Sequence, residues 1–599
     1  MRNPHGTEIR ADGSVRFRLW APACESLELC LLDQAEPLRM EALDGGWHEL
    51  IAPSAGPGSR YQFLLPNGMR VPDPASRYQP ENVHGPSEVV DPASINDAAW
   101  LGRPWHEAVL YELHVGAFTA EGTFHAAAKR LDRLRDVGIT AVELMPIGDF
   151  PGRWNWGYDG VLPYATDSTY GRPEDFRLFV EAAHARQIMV ILDVVYNHFG
   201  PEGNYLHLYA PQFFTDRHTT PWGPAINFDG PESLAVREFF IQNALYWLRD
   251  FQVDGLRLDA VHAIKDDSPV HILEDLAQHV RSCFPDRHVH LILENEENQS
   301  RFLERDAGGC TTLYTAQWND DVHHVLHTAV TGEGHGYYAD YLGDTQKLGR
   351  ALAEGFAFQG EVMKYRGSAR GEPSRQLPPD AFIAFLQNHD QIGNRAFGER
   401  IMTLAPCEAI RAAAAVYLLL PQIPMMFMGE EWGSRSPFPF FSDFGPELAH
   451  RVAEGRRQEF AKFPEFQDPE RRKHIPDPQA ESTFAAAKLW SRFNEPDNRE
   501  WLEWYKGILS CRKSILPLLK EVRRGGDYEA VGPGAVVVRW RAGSDDLVLA
   551  ANLSGAPASG FPRAPVSPIW LEGSVSEQGF SPWTVAWWKT EPRAGEGRR

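Results

Sequence analysis

Residues 253–262 read V-D-G-L-R-L-D-A-V-H, and the rest of the chain is arranged around this stretch. Its apolar residues predict a buried strand, in which side chains two positions apart leave the same face. Arg257 therefore lies beside Asp259, and a neighbouring guanidinium favours the ionised carboxylate that a nucleophile needs. An ordinary ion pair at the end of a strand would look the same. The pattern in the rest of the chain decides between these two interpretations.

Strand and helix patterns alternate on both sides of this stretch. Helical spacing of apolar residues is clearest at 124–134, 172–186, 233–251 and 269–284. Eight strands with helices between them predict an α/β fold, a (β/α)8 barrel. A doubly wound open sheet is the alternative, but it would more often carry a glycine-rich phosphate loop after its first strand, which this chain lacks. The strand candidates are 108–113, 139–145, 188–192, 253–259, 288–293, 311–317, 382–386 and 424–428.

The barrel is expected to span residues 98–516, with a smaller β domain on each side. Residues 1–97 alternate short apolar runs with turn signals, at 15–20, 27–32, 46–51 and 61–65, which predicts a β-sandwich. Alternation returns at 535–540, 547–552 and 584–588, which predicts a small antiparallel β domain at 517–599. A disordered polar tail is predicted after about Thr590.

Composition excludes several classes of partner. The 599 residues include 59 basic and 81 acidic side chains, a net charge of −22, without a run of Lys or Arg. Nucleic-acid binding requires a basic surface, so a nucleic acid is not expected. The six cysteines show neither CxxC nor metal-ligand spacing, which indicates reduced thiols. The start of the chain has no apolar signal segment, and prolines interrupt the apolar run 412–428. We expect a cytoplasmic protein without a membrane span.

Polar side chains stand where four of the predicted strands end. These endings read D-V-V-Y-N-H at 193–198, R-L-D at 257–259, L-I-L-E at 291–294 and F-L-Q-N-H-D at 385–390. Chemistry in (β/α)8 barrels collects at the carboxyl ends of the strands, so these groups should share one rim. The chain has no G-x-S-x-G elbow, metal-ligand cluster or phosphate cradle, so neither a metal nor a cofactor is expected. Carboxylates with His and Asn fit glycoside cleavage.

Each of three carboxylates suits a different step of that reaction. Asp259, beside its arginine, is the predicted nucleophile. Glu294, which follows an apolar run, is the preferred acid/base, provided that its surroundings raise its pKa. Asp390 would accept hydrogen bonds from ring hydroxyls and strain the sugar toward the transition state. His198 and His389 would donate hydrogen bonds to hydroxyls at the same place.

Two points stay open on the residues alone. Glu296 and Glu297 follow Glu294 closely and compete with it for the acid role. Strand alternation would place Glu294 and Glu296 on one face and Glu297 on the other. For Asp193 and Asn197, direct contact with the sugar and a supporting role behind other side chains fit the sequence equally well.

The four strand endings resemble, in order and kind, the motifs of the α-amylase family of glycoside hydrolases and transglycosidases. The resemblance implies Asp259 as nucleophile, Glu294 as acid/base and Asp390 as transition-state stabiliser, with retention of anomeric configuration. Tyr158, in W-G-Y-D-G at 156–160, matches the family's ring that stacks on the sugar at the cleavage point. The N-terminal sandwich looks like the one in branching and debranching members. The other substrate-binding residues implied are Asp193, Asn197, His198, Arg257, His262, Asn388 and His389.

Longer stretches are most similar to the family members that cut the α-1,4 bond next to the terminal trehalose of maltooligosyl trehalose. They include E-L-M-P-I-G-D-F-P-G at 143–152, F-F-T-D-R-H-T-T-P-W-G-P-A-I-N-F-D-G-P at 213–231 and P-M-M-F-M-G-E-E-W at 424–432. This resemblance implies maltooligosyl trehalose or a related α-glucan as substrate. It also implies functional coupling to a synthase that makes maltooligosyl trehalose.

Two other functions are compatible with parts of the pattern. Glycogen branching enzyme, an α-glucan transglycosidase of the same family, usually reads S-H-D-E at the seventh strand, whereas this chain reads N-H-D-Q at 388–391. A non-catalytic glucan-binding protein would lack the catalytic carboxylates, and all three are present here.

Overall fold

The structure is a computed structural model, and it describes residues 4–91, 100–463, 466–489, 496–563, 565 and 567–590. The predicted boundary between residues 97 and 98 and the predicted tail after Thr590 lie outside the described residues. The predicted boundary at 516/517 falls inside the helix Pro496–Leu519, and this division of the chain stays a prediction.

A closed barrel of eight parallel strands forms the centre of the molecule, as the strand and helix pattern predicted. Every residue of these strands is buried, because side chains fill the barrel interior and helices cover its outside. The first strand closes on the last, where Leu110 pairs with Met425. Around the barrel the strands are Leu110–Leu113, Ala141–Leu144, Met189–Val194, Gly255–Leu258, His290–Leu293, Ala316–Trp318, Phe382–Phe385 and Ile423–Phe427.

The sixth strand, Ala316–Trp318, begins later than the predicted 311–317. Arg281 donates to the carbonyl of Leu313 at 2.9 Å, and Arg305 donates to the carbonyl of Thr315 at 2.6 Å. Side chains therefore occupy carbonyls that a longer strand would have paired with its neighbour.

The helices differ from the predicted ones in two ways: one predicted helix is divided, and some helices were not predicted. The predicted helix 124–134 is two helices, Phe124–Ala128 and Leu131–Val137. Two longer helices, Cys407–Tyr417 and Asp320–Thr331, were not predicted, and most residues of both are buried. The other helices are Val115–Phe118, Pro173–His184, Leu206–Tyr209, Ser233–Asp250, Ile272–Cys283, Thr345–Glu354, His389–Gly393, Ile401–Leu404, Pro446–Phe460, Pro469–Arg472, Glu481–Ala487 and Pro496–Leu519.

The N-terminal domain is the predicted β-sandwich of two antiparallel sheets. It is held against the barrel domain by the Arg77 guanidinium, which lies over the rings of Tyr164 and Tyr246 at 4.5 and 4.3 Å from their centroids. One sheet contains Gly6–Ile9, Val15–Trp20, Trp47–Ala52 and Glu41–Ala42, and the other contains Leu38–Arg39, Glu28–Leu31, Arg60–Leu64, Arg70–Val71 and Ser87–Glu88.

The C-terminal domain is the predicted antiparallel sheet, here of five strands. Helix Cys407–Tyr417 lies between this sheet and the barrel, and the Trp587 indole donates to the Ala415 carbonyl at 2.9 Å. The sheet order is Asp527–Gly532, Ala535–Ala542, Asp545–Asn552, Thr584–Thr590 and Trp570–Glu572, with a separate hairpin of Val575–Ser576 and Gly579–Phe580.

Three two-stranded hairpins are inserted between elements of the barrel. They pair Gly148–Asp149 with Leu162–Thr166, Phe214–Thr220 with Gly223–Ile226, and Val362–Met363 with Ser368–Ala369. In the part of the chain that the structure describes, no helix is long and apolar enough to cross a membrane.

Candidate active site

Arg257 holds three carboxylates together at the end of the fourth barrel strand. Its Nη1 donates to Asp193 Oδ2 at 2.7 Å and to Asp259 Oδ1 at 3.0 Å, and its Nη2 donates to Glu294 Oε2 at 2.9 Å. Burial lowers the pKa of Arg257, but the carboxylates outweigh burial and raise the pKa well above its ordinary value. One planar guanidinium therefore fixes the candidate nucleophile and the candidate acid relative to each other.

Asp259 is held by hydrogen bonds as well as by this ion pair. Asn197 Nδ2 donates to Asp259 Oδ2 at 2.8 Å and to the Asp259 carbonyl at 3.0 Å. Burial raises the pKa of Asp259 above its ordinary value, while Arg257 acts in the opposite direction. Burial favours the protonated form of Asp259, which cannot act as a nucleophile. Arg257 opposes this effect and favours the ionised form.

The backbone after Asp259 turns in a strained conformation. Ala260 has φ +40° and ψ +48°, in the left-handed region that residues with a Cβ rarely adopt. The turn aims the Ala260 N–H at Glu294 Oε2, 2.8 Å away, and the Val261 N–H at the Glu294 carbonyl, 3.0 Å away. The fourth strand thus fixes the Glu294 carboxylate through its backbone as well as through its arginine.

Among the three competing glutamates, Glu294 is the one that contacts Arg257. The alternation argument for them was wrong, because the strand ends at Leu293 and the glutamates lie beyond it. The Glu296 side chain is 56% exposed, and its Oε2 lies 4.0 Å from the imidazole Nε2 of His262. Glu297 forms an ion pair with an arginine of a rim hairpin loop.

Asp390 lies in the first turn of the helix His389–Gly393, directly after the seventh barrel strand. Asn394 Nδ2 donates to Asp390 Oδ1 at 2.6 Å. Burial raises the pKa of Asp390, and the adjacent imidazole lowers it. Asn388, predicted to bind substrate, is buried and caps this helix by accepting the Gln391 N–H at 2.8 Å.

His389 is anchored by a residue that the sequence analysis missed. Glu112, in the first barrel strand, accepts the His389 backbone N–H at 3.0 Å and the imidazole Nδ1 at 2.5 Å. Burial lowers the pKa of His389, but Glu112 outweighs burial and the pKa is raised. A carboxylate inside the apolar run A-V-L-Y-E-L at 108–113 was the signal that could have identified Glu112.

Tyr158 packs its ring parallel to His389, with centroids 5.0 Å apart. Its hydroxyl donates to Asp193 Oδ2 at 2.6 Å. Asp193 is buried at 3% exposure, and burial raises its pKa to about 7 although Arg257 opposes this. Asp193 and the equally buried Asn197 therefore contact other site residues, which favours the supporting role for both over direct contact with a sugar.

His198 extends the site toward the hairpin Phe214–Thr220/Gly223–Ile226. Its Nδ1 is hydrogen-bonded to the side-chain oxygen of Asn197. Its ring stacks on Trp222, with centroids 4.3 Å apart and an angle of 5° between the planes. Burial lowers the pKa of His198, while Asp259 raises it. Trp222 is 49% exposed, so this indole presents apolar surface beside the site.

A cavity of about 560 Å³ opens beside Glu294 and Asp390. Its wall includes Asp320 and His324, from a helix that was not predicted. The sequence N-D-D-V-H-H at 319–324, directly after a strand, was the signal that could have identified this part of the wall.

Within the described residues, His218, Asp229 and Asp267 offer ligand atoms within 4.8 Å of one another. These residues do not fit a cation well. His218 Nε2 is already hydrogen-bonded to Asp229 Oδ2 at 2.8 Å, and the Arg217 guanidinium lies 3.2 Å from Asp229 Oδ1. A positive charge at that distance opposes metal binding.

Sequence profiles of three families match the chain. The α-amylase catalytic domain matches residues 91–216 and 224–520. A carbohydrate-binding module described as the isoamylase N-terminal domain matches residues 4–76, and a domain of unknown function matches residues 523–587.

The chain is similar over most of its length to two curated proteins named malto-oligosyltrehalose trehalohydrolase. The one from Saccharolobus solfataricus is 42% identical, over 85% of this chain and 86% of the relative. The one from Deinococcus radiodurans is 39% identical, over 91% of this chain and 90% of the relative. A crystal structure from Salmonella typhimurium, provisionally assigned as an alpha amylase, is 42% identical with a TM-score of 0.94, over 99% of this chain and 100% of that one.

Proposed function

Because this chain belongs to the α-amylase family of glycoside hydrolases, we propose that it is a retaining hydrolase that releases trehalose. It cleaves the α-1,4-glucosidic bond next to the terminal trehalose of maltooligosyl trehalose. Support for this substrate comes from the relatives named malto-oligosyltrehalose trehalohydrolase, which agree with the motif resemblance in the sequence. Support for the chemistry comes from one observation, the Arg257 guanidinium that bridges Asp259 and Glu294.

In the first half-reaction, Glu294 donates its proton to the glycosidic oxygen while Asp259 attacks the anomeric carbon. The bond to trehalose breaks, and a covalent glycosyl-enzyme forms through the Asp259 carboxylate. Retention by this route requires carboxyl groups about 5–5.5 Å apart. The hydrogen bonds from the two terminal nitrogens of Arg257 keep the two acids on neighbouring sides of one small site.

In the second half-reaction, the ionised Glu294 takes a proton from water. The resulting hydroxide attacks the anomeric carbon and displaces Asp259, so the maltooligosaccharide leaves with its original anomeric configuration. Asp259 must be ionised at the start of each cycle. Since burial raises the pKa of Asp259, turnover is lost on the acid side of the pH profile as this carboxylate becomes protonated.

The remaining site residues either contact the sugar or position the carboxyl groups of Asp259 and Glu294. Asp390 accepts hydrogen bonds from hydroxyls of the sugar that is attacked, and the raised pKa of His389 keeps a positive donor beside it. Tyr158 offers its ring face to the same sugar, and His198 donates to it. Asp193 and Asn197 position the other groups, and His262 lies toward the leaving group, near Glu296.

Location and pathway belong to the same proposal. We place the enzyme in the cytoplasm, in keeping with its six unpaired cysteines. Its substrate would be supplied by a synthase that builds maltooligosyl trehalose. The division into domains at residues 97/98 and 516/517 is also proposed.

The test is product analysis with two substrates. Purified enzyme is incubated with maltooligosyl trehalose and with a plain maltooligosaccharide of equal length, and free trehalose and new reducing ends are measured. We expect trehalose from the first substrate, matched by one reducing end per cleavage. Absence of trehalose rejects the proposal, and transfer products without new reducing ends indicate the transglycosidase alternative. Asp259→Asn should lose turnover by orders of magnitude while remaining folded.

A further inference from the structure

The helix Asp320–Thr331 begins directly after the sixth barrel strand and forms part of the wall beside Glu294. Asp320 and His324 both line the cavity. They are four positions apart, so their side chains lie on the same face of the helix. The cavity reaches the acid Glu294, and it also reaches Asp390.

Two neighbours on this helix show what a purely structural role looks like. Asp321 is buried, and it accepts hydrogen bonds from Arg370 at 2.5 Å and from the Tyr341 hydroxyl at 2.6 Å. His323 is buried too, and its ring nitrogens bond a backbone carbonyl at 2.7 Å and a tyrosine hydroxyl at 2.9 Å. Both side chains are satisfied within the protein.

Asp320 and His324 differ from these neighbours. Among the described residues, neither the Asp320 carboxyl nor the His324 ring nitrogens have a hydrogen-bond partner. Asp320 is half-buried, and His324 is only 8% exposed, with its ring 4.8 Å from that of Tyr337. Polar groups in such positions need water or a ligand to satisfy them.

Both groups favour their uncharged forms. Burial raises the pKa of Asp320 well above its ordinary value, and the carboxylates of the cavity act in the same direction while Arg370 opposes them. Burial lowers the pKa of His324 well below its ordinary value. A neutral carboxyl and a neutral imidazole each offer a donor and an acceptor, which suits a sugar hydroxyl better than an ionic ligand.

We propose that Asp320 and His324 hydrogen-bond the hydroxyls of the leaving group and help to select substrates that end in that sugar. The acid delivers its proton to the leaving oxygen, so the leaving group occupies the side where Glu294 stands. That group is trehalose, a neutral polyol, and the inference rests on the proposed function. Tyr337 adds an apolar ring face to the same wall.

The experiment compares two leaving groups. For each variant, kcat/KM is measured for maltooligosyl trehalose and for 4-nitrophenyl α-maltotrioside, whose aryl leaving group has no sugar hydroxyls. Trehalose binding is measured separately by calorimetry, and folding by thermal unfolding. The variants are Asp320→Ala, Asp320→Asn and His324→Ala. Asp33→Asn, an exposed aspartate of the N-terminal domain, is the matched control.

For Asp320→Ala and His324→Ala we expect about a tenfold loss of kcat/KM with maltooligosyl trehalose, as for one lost hydrogen bond. Trehalose affinity should weaken to a similar degree, while kcat/KM for the aryl substrate stays within about twofold. Asp320→Asn should keep most of the trehalose affinity, because the amide is also a neutral donor and acceptor. If Asp320→Ala does not fold, His324→Ala carries the same test.

Two results would overturn the inference. Equal losses with both substrates would mean that these residues act through Glu294 or through folding, and unchanged constants would mean that they do not contact the leaving group. Failure of the proposed function looks different: the wild type would cleave the aryl substrate and release no trehalose. In that case calorimetry with trehalose on wild type and Asp320→Ala still decides the inference.

Discussion

Two buried arginines at opposite ends of the barrel differ in what surrounds them. Arg257, at the carboxyl end, contacts three carboxylates. Arg512, at the amino end, donates to the backbone carbonyls of Leu418, Leu420 and Gln422 at 2.9, 2.7 and 2.9 Å. Burial lowers the pKa of both; the carboxylates reverse this for Arg257, whereas the pKa of Arg512 falls to about 9.

The difference shows where the molecule concentrates charge. At the amino end, three backbone carbonyls accept the hydrogen bonds of the cation. At the carboxyl end, one cation is shared among three acids, and burial raises the pKa of two of them, Asp193 and Asp259. The same residue type therefore supports the structure at one end and, as proposed here, the chemistry at the other.

Removing the cation at the carboxyl end should have the largest effect. Arg257→Met leaves Asp193, Asp259 and Glu294 buried without their shared partner. We expect the free energy of unfolding to fall by about 3–5 kcal/mol. The turnover of Arg257→Met should fall at least as far as that of Glu294→Gln, which lacks the acid. Urea denaturation and trehalose release measure the two quantities.

Arg257→Lys refines this prediction, because it keeps the charge but cannot bridge two carboxylates with one planar group. Compared with Arg257→Met, the Arg257→Lys variant should recover more of the free energy of unfolding than of the turnover. Recovery of both to the same extent would contradict the bridging role of the guanidinium.

Removing the acid itself should have the next largest effect. Glu294→Gln should lower kcat for maltooligosyl trehalose by about 10²–10⁴-fold, the usual contribution of a general acid. An α-maltosyl fluoride should lose much less, because fluoride leaves without a proton. Glu297→Gln, which disturbs only the ion pair with Arg366, is the matched control. Equal losses with the fluoride and the natural substrate would rule out the acid role.

At the amino end the same kind of substitution should change stability alone. Arg512→Met leaves three buried carbonyls without a donor, so the free energy of unfolding should fall by roughly 1–3 kcal/mol. The kcat should stay within about twofold of the wild type. Lys513→Met, at the exposed neighbouring position, should change neither quantity. A large loss of kcat in Arg512→Met would remove the distinction between the two ends.

The smallest expected effect is on the pH dependence of the free energy of unfolding. It concerns His290, at the amino end of the fifth barrel strand. Burial lowers the pKa of His290 to about 4, below the value of 6.5 that applies when the chain is unfolded. The stability that this residue contributes is therefore complete above about pH 6.5 and is lost as the pH falls toward 4. Between pH 7 and pH 5, wild type should lose about 1–2 kcal/mol more than His290→Gln.

Urea unfolding at several pH values measures this difference. His288→Gln, at an exposed position two residues earlier, should keep the wild-type pH dependence. Parallel pH profiles for wild type and His290→Gln would show that burial of this imidazole does not contribute.

The sequence predicted much of the fold because the relevant signals are local. Apolar runs of strand length and helical spacing between them depend on residues close in the chain, and they identified all eight barrel strands. Helix Cys407–Tyr417 was not predicted, because it is covered by the barrel and by the C-terminal sheet and its sequence is therefore largely apolar. The pairing of Glu112 with His389 was not predicted, because the two residues are 277 positions apart in the sequence.

The order of residues along the chain is enough to show which polar groups follow the strands, and so which carboxylates could meet at one rim. Among these glutamates, the contact of Glu294 with Arg257 became evident only in the folded molecule, where Glu296 lies near His262 and Glu297 pairs with Arg366. Strand alternation no longer applies beyond Leu293, because the pairing of the fifth strand with its two neighbours ends there. Beyond that point, the direction of each side chain depends on contacts such as the Ala260 turn, which exist only once the barrel has closed.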